Sequence, residues 1–203
     1  MRRGAVLCAV LAASVCASVA GATELSVRVS DASGAALKDA VVLLTPVGEV
    51  PPAPAPAPQR AVIDQIDKRF VPRVTVLRTG TAVSFPNHDN IRHSIYSYST
   101  PKRFELKLYA GTPASPVVFD KPGVVALGCN IHDSMIAWVL VVDTPWFVAS
   151  DGAGVAQLTN LPPGRYRLRA WHEPMAELGE AQELVVGDAP VRMAVTLDPD
   201  RTL

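Results

Sequence analysis

The sequence predicts an all-β protein, and three observations carry that prediction. No stretch repeats apolar residues at the 3.6-residue period of a long amphipathic helix. Short apolar runs alternate with turn signals at about the 8–12-residue spacing of β-sandwiches and barrels. The clearest runs alternate with period two. Phe104-Glu-Leu-Lys-Leu108 is one, and Arg165-Tyr-Arg-Leu-Arg-Ala170 is another, which places Tyr166, Leu168 and Ala170 on one face. With 203 residues and 49% apolar content, the chain is large enough for a substantial core.

From the N-terminus, Met1-Arg2-Arg3 is a positive segment, Gly4 to Val19 an apolar one, and Ala20-Gly21-Ala22 a small-residue cleavage site. Residues 1–22 are therefore expected to be a secretory signal, cut after Ala22, and the protein to be periplasmic. No later apolar run approaches a membrane span. Cleavage removes Cys8 and Cys16 and leaves Cys129 alone. An unpaired cysteine in an oxidising compartment is a buried thiol, a partner in an interchain disulfide, or a metal-bound thiolate. Nineteen basic residues balance nineteen acidic ones, so net charge gives no reason to expect nucleic-acid binding.

Leu25-Ser-Val-Arg-Val29 and Ala40-Val-Val-Leu-Leu44 read as strands around an Asp31-Ala-Ser-Gly34 turn. Pro51 to Pro58 holds five prolines, which favour an extended linker, assigned to 51–61. Turn signals return at Asp151-Gly152, Pro163-Gly164 and Gly187-Asp188, and Val191-Arg-Met-Ala-Val-Thr-Leu197 reads as a closing strand. The first strands together with Leu158-Thr-Asn-Leu-Pro-Pro-Gly-Arg-Tyr166 and the closing strand resemble a carboxypeptidase-regulatory-like (transthyretin-like) β-sandwich. That resemblance implies a host domain split between residues 23–50 and 144–203, with residues 62–143 inserted.

The stretch that carries chemistry is Cys129-Asn-Ile-His132-Asp-Ser-Met135, between apolar runs 123–128 and 138–142. Upstream, Phe85-Pro-Asn-His-Asp-Asn-Ile-Arg-His93-Ser-Ile-Tyr96 brings a second imidazole to the start of a strand. Two imidazoles, one thiolate and a weak thioether form the donor set of a mononuclear blue-copper site. Soft sulfur favours Cu(I), and imidazole serves both oxidation states. Zinc fits less well, since its structural sites take more thiolates and no thioether. Four histidines in the whole chain are too few for a multinuclear copper enzyme. Taken singly, each of these residues has an ordinary structural explanation; their coincidence at ligand spacing favours a metal.

The segment 62–143 resembles a cupredoxin of the amicyanin and pseudoazurin kind, with the short Cys-x-x-His-x-x-Met loop of amicyanin. The resemblance implies a Greek-key cupredoxin sandwich with His93, Cys129 and His132 as equatorial copper ligands and Met135 as the axial one. It also implies a backbone N–H bond to the thiolate from the residue after the first ligand, here Ser94. The whole arrangement is similar to periplasmic proteins labelled methylamine-utilisation proteins.

The function expected is single-electron transfer between redox proteins, which would dock transiently near His132 on a rim formed by Ile131 and Ile136 of a monomer. Copper storage or delivery, and a structural β-domain with idle ligands, are the alternatives. His88 is expected in a solvated loop, with an auxiliary metal contact as the lesser reading, and His172 near the end of a host strand. Arg165, Arg167 and Arg169 form a solvated face, or a docking patch for an acidic partner. No nucleophile elbow, phosphate loop or paired-carboxylate motif is present, so no enzyme is expected.

Overall fold

The computed structural model describes residues 23–48 and 59–200. The signal-peptide expectation for 1–22 and the run from Pro51 to Pro58 lie outside the described residues. What is described is all-β: strands and turns, with no helix among the described residues.

The chain opens with β1 (Thr23–Ser30) and β2 (Val41–Val47). Short strands follow: β3 (Arg60–Val62), β4 (Asp64–Ile66) and β5 (Arg69–Val71). Next come β6 (Val74–Arg78), β7 (Thr81–Ser84), β8 (His93–Ser97), β9 (Phe104–Tyr109) and β10 (Val117–Phe119). A hairpin of β11 (Gly123–Gly128) and β12 (Ile136–Val142) precedes β13 (Trp146–Ala149) and β14 (Val155–Leu161). The last three are β15 (Gly164–Trp171), β16 (Gln182–Val186) and β17 (Val191–Thr196).

Early and late strands share sheets. β1 lies between β14 and β17, and β2 between β13 and β15, with β16 at the edge. The intervening strands form the order β6-β12-β11-β8-β9, facing a smaller sheet β10-β7-β3. Two acidic turns repeat one device. Asp31 Oδ1 accepts the Ser33 and Ala35 N–H groups, and Asp151 Oδ1 those of Ala153 and Val155. The Ser33 hydroxyl, which also donates to Asp31 Oδ1, and then the backbone bonds at Asp31 hold that carboxyl below its ordinary pKa. Tyr166 donates its phenol to Pro162 O at 2.8 Å, a tyrosine corner that pins the start of β15.

The apolar run in β12 has a structural cause. Ala137, Val139 and Val141 join one buried cluster with Val125, Leu127 and Cys129. Leu140 and Val142 point the other way, into a cluster with Leu44, Leu168 and Trp171. A strand buried on both faces has no polar side to show, so period two disappears from its sequence. Trp138 packs on that second side with its ring 6.4 Å from Trp171, and Arg73 pairs with Glu173 at 2.9 Å nearby. The five-stranded sheet is thus a shared middle layer, and one of its faces is what holds the ligand loop steady.

Candidate metal centre

The β11–β12 hairpin fixes the ligand loop. Gly128 pairs with Ile136, so residues 129–135 must turn within the hairpin end. The turn is closed by Met135 N–H donating to His132 O at 2.9 Å and Ile136 N–H to Ser134 O at 3.1 Å. Cys129, directly after β11, is 3% exposed and makes no disulfide among the described residues. Met135, directly before β12, is also buried and belongs to the same apolar cluster as Cys129.

His93 opens β8 and is fully buried. Its Nε2 lies 2.8 Å from Asp89 Oδ2 and its Nδ1 3.9 Å from Cys129 Sγ. A carboxylate only accepts, so Nε2 carries the proton and Nδ1 presents a lone pair towards the sulfur. The His132 ring sits edge-on to His93 at 5.1 Å, and its buried Nδ1 has no hydrogen-bond partner among the described residues. One donor atom from each of His93, Cys129 and His132 lies within 4.8 Å of the others. A buried imidazole nitrogen without a partner is costly, and a metal ion held with Cys129 and His93 would relieve it. The donor set therefore fits copper.

The supporting loop was only partly legible. Asn87 was visible in the motif; its side-chain amide donates to Ile91 O and Tyr109 O, and its Oδ1 accepts Asp89 N–H. Asp89 Oδ2 also accepts the Lys68 N–H at 2.7 Å. That bond first, then His93, holds the Asp89 carboxyl below its ordinary range. The expected thiolate contact from Ser94 comes from its side chain: Oγ accepts Asn130 N–H at 3.1 Å and lies 4.0 Å from Cys129 Sγ.

Gln65 and Tyr109 escaped the sequence reading altogether. Gln65 is fully buried and donates to Tyr109 Oη at 2.6 Å and Pro86 O at 3.2 Å, while its backbone carbonyl accepts His88 N–H. The only trace was its place between Asp64 and Ile66, at the inward position of a three-residue strand. Tyr109 donates to Phe85 O, and burial pushes its phenol up to about 12. The stability this phenol contributes is full below pH 10 and is lost as pH rises towards 12, because the unfolded chain releases the proton first. Ultraviolet titration should show a tyrosinate step near pH 12 that Tyr109→Phe removes.

Other sequence candidates sit apart from the three donors. His88 is exposed and bonded through Nδ1 to Asp64 Oδ2 at 2.7 Å. His172 faces the carbonyls of Glu173 and Lys38, so it ties a turn in place. Arg165 and Arg167 approach Glu183 at 4.0 and 3.7 Å. Ile131 and Ile136, 50% and 45% exposed, flank the ligand loop.

A glycine protects the geometry at Cys129. A Cβ on Gly128 would stand 2.6 Å from Tyr96 Cζ, and Gly128 is the register partner of Tyr96. Gly128→Ala should therefore cost about 1–3 kcal/mol and shift the residue bonded to Cys129. A double variant with Tyr96→Ala should recover part of that loss in a thermal melt.

No family model matches the chain, and no curated protein matches it. Solved structures do. The chain is similar to the copper-containing nitrite reductase (NirK) from Thermus scotoductus SA-01, at 24% identity and TM-score 0.39, over 49% of this chain. It spans 26% of that enzyme's length. It is similar to the purple cupredoxin from Nitrosopumilus maritimus, at 22% identity and TM-score 0.36, over 40% of this chain and 99% of that one. A reduced tryptophan-to-tyrosine variant of amicyanin aligns at 18% identity and TM-score 0.36, over 40% of this chain and 80% of that one. The likeness is one of fold. One expectation from sequence is corrected: the lack of a familiar catalytic motif is no ground for excluding an enzyme, and a copper-containing nitrite reductase is among the similar chains.

Proposed function

We propose that the chain is a type-1 copper protein that carries single electrons between redox partners. The observation that carries this reading is the convergence of one donor atom each from His93, Cys129 and His132 within 4.8 Å; beside it, the buried His132 Nδ1 has no hydrogen-bond partner among the described residues. His93 Nδ1, Cys129 Sγ and the His132 imidazole would hold the ion, with the Met135 thioether as a further, weaker donor. Copper in such a set supplies a reversible one-electron couple.

The chain's own residues perform the remaining tasks. Asp89 fixes the His93 tautomer, Asn130 N–H and Ser94 Oγ tie the loop to β8, and the double-sided burial of β12 resists rearrangement. Rigid donors keep the change in geometry between oxidation states small. Exposed Ile131 and Ile136 beside His132 suit a small, transient contact with a partner protein. Export through residues 1–22 to the periplasm belongs to this proposal, as does a host sandwich split between 23–50 and 144–203. The pairing of β1 with β14 and β17 supports the latter.

The test is reconstitution of the purified protein with Cu(II). Intense blue absorption with a narrow hyperfine splitting, and a reversible wave in voltammetry, are expected. Colourless copper with a wide splitting would overturn the type-1 assignment.

A further inference from the structure

On the sheet face opposite the buried donor cluster lies a cavity of ≈ 660 Å³. Its origin is in the side-chain sizes along β11. The residues of β11 that line it include Ala126, which is paired with Trp138 across the hairpin. On the other flank, Tyr98 follows β8 and its ring lies 5.1 Å from that of Tyr96, tilted by 40°, so the two tyrosines share a face. Tyr98 is 74% exposed and Trp138 half-buried, and both line the cavity. β8 and β12 flank β11, so their backbones stand about 9.6 Å apart, two strand spacings. Tyr98 and Trp138 line opposite flanks of the cavity, with the small side chain of Ala126 also in its lining. Pro101, Val124, Ala176 and Leu178 add to the apolar part of the lining.

The rim is charged in a specific way. Arg169 and Glu177 both line the cavity. Among the described residues neither makes an ion pair, unlike Arg165 and Arg167 on the same strand. One free guanidinium and one free carboxylate beside an aromatic slot complement a ligand with both charges and a ring. We propose that this slot binds a zwitterionic aromatic amino acid, its ring between Tyr98 and Trp138, its carboxylate on Arg169 and its ammonium on Glu177. The site is independent of the copper reading.

Calorimetric titration of the full chain with L-phenylalanine tests it. Saturable binding is expected, with 3-phenylpropionate and phenethylamine each weaker by about tenfold or more, the worth of one charged hydrogen bond. L-Alanine, which lacks the ring, should give no saturable heat. Ala126→Leu, which fills the floor, should abolish binding. Arg169→Gln should bring phenylalanine down to the level of phenethylamine, and this second variant decides the matter if the first does not fold. The absence of saturable heat with phenylalanine, equal binding of either singly charged analogue, or wild-type affinity in a folded Ala126→Leu or Arg169→Gln protein would overturn the proposal.

Discussion

Exchanging Cys129 for serine is expected to leave the metal-free protein folded and to remove the stabilisation that copper confers on the wild type. Cys129 is 3% exposed and packed among apolar residues, so the smaller, more polar hydroxyl should cost about 1 kcal/mol. With copper the two proteins should part company. A ligand bound only by the folded state, at a thousand times its dissociation constant, adds about 4 kcal/mol. For a protein of this size that is roughly 8–16 °C in melting temperature. The wild type should show such a rise, and Cys129→Ser should lose most of it together with the blue colour, because a serine hydroxyl is a poor ligand for Cu(I). An equal copper-induced rise in both proteins would mean that Cys129 holds no metal. Differential scanning calorimetry with and without copper reads the difference directly.

What the sequence disclosed about this site follows from how local each contact is. Cys129, His132 and Met135 stand on one seven-residue loop, so their spacing alone announced a ligand set. His93 was legible because a motif of polar residues precedes it at a strand start. The residues around it were harder. Gln65 reaches Tyr109 across forty-four positions, and no period or motif marks a hydrogen bond of that separation. The nearly continuous apolar run in β12 identified a buried strand, yet not that its two faces serve two different clusters. That requires knowing what packs on each side. The aromatic slot was hidden for the same reason, since Tyr98 and Trp138 become neighbours only through the pairing of β8, β11 and β12. The exclusion of enzyme chemistry failed differently: it treated the lack of a known motif as information.

Replacing Asp89 by alanine should weaken copper binding without changing the kind of site. The carboxylate is the only hydrogen-bond partner of His93 Nε2 among the described residues, and His93 is fully buried. Losing it strands the Nε2–H, costs the metal-free protein about 1–3 kcal/mol, and lets the proton move to Nδ1, where it competes with the metal. Loss of such a supporting carboxylate typically lowers metal affinity by about 10- to 100-fold. Asp89→Asn should lose less, because its amide oxygen can still accept both the Lys68 N–H and the Nε2–H. The acid behaviour separates the variants further. The Asp89 carboxyl titrates below its ordinary 3.8, so the stability it contributes is present above that pH and disappears as pH falls through its lowered value. Between pH 5 and 8, roughly the range of greatest stability, wild type should exceed Asp89→Asn, and the two melting curves should converge as pH falls through the lowered value of the carboxyl. A retained blue band with weaker binding in Asp89→Ala identifies a positioning residue. Loss of the band at saturating copper would instead make the carboxylate indispensable to the ligand geometry, and unchanged affinity would show that the packed ring alone keeps Nδ1 turned towards Cys129.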